Sequence, residues 1–435
     1  MLKDPPACHF EEPQGEEESR SVKKEACLGL RTFGKRATKP AAGFISALVI
    51  TSCLTTWFGQ HLMVASPRGG ESVVHGASTQ VNWSQFQFAP NHVGLNPFET
   101  ILGINTVGGL VQLWRFGGPS GAYTVQTSPA VVNGLLYAGG NSIAGGGPGF
   151  FALNAATGSL LWYYQVPTIS SPAVANGLVY FGASTTNYGI FALNATTGAL
   201  VWKFTLGSLI YASPAVANGV VYLDCADGNL YALQASTGAL VWQRMIAPAG
   251  FVESSPAAAN GIVYVGSPNG KVLALNAKTG AFLWQYTTGS YIYSSPSVVN
   301  GVVYVGSSDG HTYALNAGTG ALVWKYSTGA VLGSPAVASG VVYVGSTDFN
   351  VYALNAATGV LEWRYATAGS VDFSSPSVAN GVVYVGGQNL YALDAASGEL
   401  LWQNPTPDAL ESSPVVVNGK LYFGDQRGSV YAFGL

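Results

Sequence analysis

Between Val111 and Leu435 the chain is written in apolar runs of four to six residues, each ended by a short polar or glycine-bearing break. Residues 334–365 show the unit once. Ser334-Pro335-Ala336-Val337-Ala338 reads as a short extended run, because proline pushes the residue before it out of the helical region and has no N–H for a ladder. A strand of that kind belongs at an edge, here the innermost edge beside a central channel. Ser339-Gly340 then makes a tight turn, and seven other repeats use Asn-Gly, whose residues both tolerate positive φ. Val341–Gly345 is a second strand, Val351–Leu354 a third after the turn at 348–350, and Val360–Tyr365 a fourth after Ala357-Thr358-Gly359. Four short antiparallel strands per unit are one blade of a β-propeller.

The unit recurs about every forty residues, which identifies a stacked repeat and overrides the domain count that 435 residues suggest. Tryptophans mark the fourth strands at Trp114, Trp162, Trp202, Trp242, Trp284, Trp324, Trp363 and Trp402. Ser-Pro marks the first strands at Ser128, Ser171, Ser213, Ser255, Ser295, Ser334, Ser375 and Ser413. The phase of the two series matters. The array begins on a Trp strand and ends on a third strand, Val430–Phe433, so the last blade lacks its outer strand. The Trp114 strand is predicted to supply it, giving an all-β, eight-bladed propeller over residues 111–435 with its ring closed by N-to-C overlap. The Asn/Thr-Gly turn is expected to fix each outer hairpin, and each indole to dock on the adjoining blade with a backbone carbonyl near its N–H.

Residues 1–40 are charged and poor in β-formers and read as disordered. Residues 41–58 carry no charge, enough to cross a bilayer, with a basic cluster before them. Within the segment assigned to 41–65, Ile50-Thr51-Ser52-Cys53 resembles a lipobox that would make Cys53 a lipidation site, whereas the long stretch ahead of it favours an uncleaved signal anchor. Either reading exports the propeller and ties it to a membrane. Residues 66–110 are expected to form a tether and an N-terminal arm.

Composition narrows the function. Charged residues are 9% of the chain and the net charge is −3. From Trp114 onward nine Lys/Arg face twelve Asp/Glu, so no basic stripe exists to follow a phosphate backbone. Of the cysteines Cys8, Cys27, Cys53 and Cys225, only the last lies in the repeats, and it reads as an inert buried thiol. There is no metal-ligand spacing and no nucleotide cradle. His311 beside Asp309, and likewise Asp348 and Asp425, read as turn residues. Asn82 and Asn194 match glycosylation acceptors, but Asn194 is part of a docking hairpin and is given no such role.

The recurrent Ala-x-Asn-x-x-Thr-Gly-x-x-x-Trp motif, with Gln234 or Asp394 in the Asn place of two copies, and the Asn-Gly/Ser-Pro rhythm resemble the pyrroloquinoline-quinone-like repeat family. The resemblance covers residues 83–435. It implies one of two activities. Quinoprotein alcohol dehydrogenases hold pyrroloquinoline quinone and calcium in the channel, while the outer-membrane assembly lipoprotein branch is non-catalytic and binds proteins. The enzymes carry a vicinal cysteine pair, long capping insertions and, in some, an attached haem. This chain has no adjacent cysteines, no Cys-x-x-Cys-His and nearly bare repeats.

The position two residues before each Ser-Pro serine faces the channel mouth: Gln126, Ile169, Tyr211, Glu253, Tyr293, Leu332, Phe373 and Glu411. Glu253 and Glu411 fall on opposite blades, too far apart to share one calcium, and Asp372 is a third carboxylate nearby. A ring so aromatic and aliphatic suits a peptide or an apolar ligand. The expectation is therefore an exported monomeric scaffold, without cofactor, that binds a protein partner at this face or along exposed blade edges. The alternatives are a quinone- and calcium-dependent dehydrogenase, or a carbohydrate-binding sensor using Tyr211, Tyr291, Tyr293 and Phe373.

Overall fold

The computed structural model describes residues 80–117, 123–142, 149–184, 188–250, 253–405 and 410–435. The expected disordered segment 1–40, the membrane segment 41–65 with Cys53, and the first part of the tether lie outside the described residues. Among those described, no helix is long and apolar enough to cross a membrane.

Each repeat folds into a four-stranded antiparallel sheet. In the fourth blade the strands are Ala257–Ala259, Ile262–Gly266, Lys271–Asn276 and Phe282–Thr287, paired in chain order. Blades are numbered here by their inner strands: Ala130–Val132, Ala173–Ala175, Ala215–Ala217, Ala257–Ala259, Ser297–Val299, Ala336–Ala338, Ser377–Ala379 and Val415–Val417. The turn after each inner strand takes left-handed angles at both residues, for example φ 50° at Asn300 and 78° at Gly301, as the Asn-Gly signal requires. The eighth blade is completed by Val111–Gly117, which runs antiparallel to Ser429–Gly434 and sets Trp114 opposite Ala432.

The apolar core is divided by seam: eight clusters of buried side chains, each shared by two neighbouring blades. The repeat motif explains how a seam is built. The Asn side chain turns the outer hairpin, with Asn316 Oδ1 accepting from the backbone N–H groups of Gly318 and Thr319 at 3.0 Å. That turn leaves the next carbonyl, Ala317 O, facing the preceding blade, where Trp284 Nε1 donates to it at 2.9 Å and Tyr264 Oη at 3.1 Å. The indole also covers the glycine of the same hairpin. A methyl group on Gly320 (φ 73°) would lie 2.5 Å from the Trp284 ring, so only glycine fits. Trp114, Trp162, Trp202, Trp242, Trp324 and Trp363 donate to Ala155, Ala195, Ala235, Ala277, Ala356 and Ala395 of the following blades in the same way.

Trp402 is different. The eighth blade takes its outer strand from Val111–Gly117, so no such hairpin lies ahead of Trp402, which instead meets Phe433 edge-on at 5.5 Å. Leu102, Val107 and Leu110, around a short 3₁₀ turn at Val107–Gly109, fill the gap beside Leu421 and Phe433. The substitution is imperfect: the Tyr384 hydroxyl, whose counterparts bind the hairpin carbonyl, is buried without a hydrogen-bond partner among the described residues.

The arm does more than lead in. It enters the channel and touches the inner strand of every blade in turn. Trp83 exchanges two backbone hydrogen bonds with Val131 (2.8 and 2.7 Å), and Ser84 O accepts from Val174 N–H. The Gln85 amide pairs with both backbone groups of Val216 at 2.8 and 3.1 Å. Pro90, Asn91, Val93 and Gly94 carbonyls accept from Ala258, Val298, Val337 and Val378. Leu95–Asn96 then adds a parallel strand to the seventh blade, and Asn96 Nδ2 reaches Val416 O at 2.8 Å. The inner edges, which proline leaves short of hydrogen bonds, are thus capped from inside. Glu99 fastens the exit, its carboxylate accepting from Ile101, Leu102 and Gly419 N–H groups at 2.8, 3.1 and 3.0 Å.

Candidate functional site

The Ser-Pro serines do not simply begin strands. The backbone N–H of Ser128 donates to Ser171 Oγ, Ser171 to Ser213, Ser213 to Ser255 and Ser255 to Ser295, all at 2.8–3.0 Å. Ser295, Ser334 and Ser375 continue the series to Ser334, Ser375 and Ser413, and Ser413 closes it onto Ser128 at 2.9 Å. The result is a closed hydrogen-bonded ring at one end of the channel. Its sequence signal was the serine itself, since proline alone would have sufficed for an edge strand.

All eight residues expected at the channel mouth, Gln126, Ile169, Tyr211, Glu253, Tyr293, Leu332, Phe373 and Glu411, line a single cavity of about 290 Å³ together with the serine ring. Phe86, carried in by the arm, lines it as well and packs edge-on against the buried His92 at 5.3 Å. Phe86 was not legible as a site residue, because the arm belongs to no repeat.

The two carboxylates have unlike surroundings. Glu411 is held by amide donors, Gln126 Nε2 on one oxygen and Gln426 Nε2 on the other at 2.6 Å. Glu253, four blades away, has Oε2 buried with no hydrogen-bond partner among the described residues. Burial, helped by the negative charge of Glu411, raises the Glu253 carboxyl from 4.5 to about 7. Burial and then Glu253 push the Tyr211 and Tyr293 hydroxyls up in turn. Asp372 does not line the cavity; the Ser370 hydroxyl donates to it. Tyr291 is exposed and lies against Tyr293, ring centroids 6.1 Å apart.

Other candidates resolve as structure. Asp309 accepts from Tyr313 Oη at 2.6 Å and from His311 N–H at 3.1 Å, a turn shared by Asp348 with Tyr352 and Asp425 with Tyr431. Asn194 Oδ1 turns its hairpin by accepting from Thr196 and Thr197. Cys225 is buried and burial pushes its thiol up to about 12. Its neighbour Asp224 stands where the other blades carry glycine, as at Gly182 and Gly266. Both its carboxylate oxygens are buried with no hydrogen-bond partner within ordinary bonding geometry among the described residues, and burial pushes the carboxyl well above its usual range. Among the described residues no three His, Cys, Asp or Glu side chains are grouped to hold a metal ion.

A family model described as outer membrane protein assembly factor BamB matches overlapping stretches 111–250, 181–291 and 237–435. The chain belongs to this family of PQQ-like repeat propellers. No curated protein matches it. Among solved structures, the PQQ-like propeller is similar to a europium-containing methanol dehydrogenase (TM-score 0.69, 15% identity, covering 81% of this chain and 98% of that one). BamB from Moraxella catarrhalis gives a TM-score of 0.63 at 21% identity over 75% and 100% of the two chains. The quinohemoprotein alcohol dehydrogenase from Comamonas testosteroni gives 0.67 at 17% over 81% and 80%. At such identities the likeness is one of fold, and the assembly factor and the dehydrogenases share that fold.

Proposed function

We propose that this PQQ-like propeller is a non-catalytic scaffold that holds a protein partner at its channel mouth. It acts outside the cytoplasm, tethered through the apolar segment 41–65 or a lipidated Cys53. The observation that carries the reading is the mouth cavity itself. Beyond its ring serine each blade contributes one side chain, and most of these are aromatic or aliphatic. The family's namesake is an outer membrane protein assembly factor, which is the precedent for a partner that is itself a protein.

The dehydrogenase alternative is disfavoured by the chemistry of the lining. Pyrroloquinoline quinone is a tricarboxylate, and calcium catalysis needs several oxygens on one ion. Among the described residues the cavity offers two carboxylates on opposite walls and no Lys or Arg side chain to meet the quinone's charge. These residues do not fit that group.

The test uses the full chain in membranes with a photo-crosslinking residue at position 293, and the same probe on the outer rim at Val360. A discrete protein adduct from the mouth position only, lost when Tyr211 and Phe373 become Ala, is expected. Saturable, calcium-dependent quinone uptake with alcohol-dependent dye reduction would overturn the proposal.

A further inference from the structure

The mouth has a narrower chemistry than protein binding requires. The described residues of the connections that lead from each outer strand to the next Ser-Pro, 123–127, 165–170, 206–212, 246–250, 253–254, 288–294, 328–333, 367–374 and 410–412, carry the acids Glu253, Asp372 and Glu411, of which Glu253 and Glu411 line the cavity. These described residues include no Lys, Arg or His. Inside the cavity, Tyr211, Tyr293, Phe373 and the arm's Phe86 present aromatic surface between two carboxylates. The Glu411 carboxylate is already fixed by Gln126 and Gln426, whereas Glu253 Oε2 is buried with no hydrogen-bond partner among the described residues.

We propose that this cavity takes an organic ammonium group, a lysine side chain or terminal amine of the bound partner or a small free amine. The aromatic faces attract a cation through their quadrupoles, and the carboxylates supply the counter-charge in a site partly withdrawn from water. An anion meets repulsion from both walls. A neutral ligand fills the space but leaves the buried Glu253 oxygen without its counterpart. The serine ring adds hydroxyl oxygens to the lining that can accept from an N–H of the ligand. At about 290 Å³ the cavity holds a head group or one side chain. The inference rests on the mouth being the binding face, and it adds the charge and class of what enters.

A pH signature follows. The groups facing Glu253 are Tyr211, Tyr293 and Glu411, with Tyr188 and Tyr291 behind the tyrosines. Both facing tyrosines are raised and stay neutral, so Glu253 is the group that changes charge near neutrality, with its carboxyl at about 7. A cation binds its ionised form. Affinity is therefore expected to rise about tenfold between pH 6 and pH 8, following the ionised fraction.

The experiment is calorimetric titration of the full chain at low ionic strength with four probes. Choline is paired with its uncharged carbon analogue 3,3-dimethylbutan-1-ol, and an end-blocked Gly-Lys-Gly tripeptide with its norleucine twin. Expected is saturable binding of either or both ammonium probes, each at least tenfold tighter than its neutral twin. Glu253→Gln, checked for an unchanged melting midpoint, should lose about tenfold and abolish the pH dependence, and Tyr293→Leu should weaken binding at both pH values. The tighter of the two ammonium probes identifies the source as free amine or peptide. Equal binding of the neutral twins, no binding of either ammonium probe, or retention of a neutral oligosaccharide in their place overturns the proposal. If the probes fail while the crosslinker at position 293 still gives its adduct, only this inference falls; if both fail, the reading of the mouth falls too.

Discussion

One indole per repeat settles the seam between blades, and the details show why it is Trp. Trp284 reaches past its own hairpin, lies flat on Gly320 of the next blade and spends its N–H on Ala317 O. Phenylalanine keeps a ring over the glycine but loses the donor and some of the contact area. Because Tyr264 still serves Ala317 O, that carbonyl is not orphaned. Trp284→Phe is therefore expected to cost about 1 kcal/mol, while Trp402→Phe, with no hairpin carbonyl ahead of it, costs less than half as much. Urea midpoints of the two variants compared with the parent check this; equal losses would show that the hydrogen bond adds nothing. The repeat spacing revealed the tryptophans and implied a nearby carbonyl. It did not reveal that a tyrosine shares that carbonyl, because Tyr on a strand reads as an ordinary buried β-former.

Among the elements, the arm was the least legible. Residues 83–96 occur once, follow no period and bind largely through backbone carbonyls, which any sequence possesses, with the side-chain amides of Gln85, Asn91 and Asn96 adding to them. The blades, by contrast, announce themselves through repetition and through Asn-Gly turns whose angles only a few residues accept. The eight mouth residues were legible for the same reason: they sit at a fixed offset from Ser-Pro in every repeat. Phe86, delivered to that cavity by the arm, was not. The arm also carries an acid-sensitive group. His92 is fully enclosed, and burial lowers it from 6.5 to about 3 even though the Pro296 carbonyl opposes the shift. A histidine held neutral in the fold takes up its proton only when unfolded, so its contribution is present above pH 6.5 and is lost as pH falls from there toward 3. The loss from this group approaches about 1.4 kcal/mol per pH unit within that window. The slope of stability between pH 6 and pH 4 should be shallower in His92→Gln. In the parent, residues 83–99 should lose protection against hydrogen exchange at acid pH before the blades do. Blades and arm exchanging together would contradict this.

At the scale of the whole molecule, three closures act on the same ring. Val111–Gly117 joins the two ends of the array, the serines link every blade to the next, and the arm binds all of them. The first was legible in the sequence as a mismatch of phase between the Trp and Ser-Pro series, whereas the serines showed there only as a repeated residue and not as a ring. Removing residues 430–435 should therefore do far more than trim a tail. It strips the strand that pairs Trp114 and opens the eighth blade. Thermal unfolding of the truncated chain should lose its single cooperative transition, whereas removing Leu435 alone should leave it; a single unchanged transition in both would refute closure by overlap.

Repeats this alike are prone to slip when a gene is copied, gaining or losing one unit at a time. A propeller held only by identical seams could absorb such a change and become seven- or nine-fold. This one carries a segment whose main series of contacts meets its eight inner strands in blade order, from Val131 to Val416. The arm is in effect a tally of blades, and a ring of any other number would leave it with a strand too many or a contact unmatched.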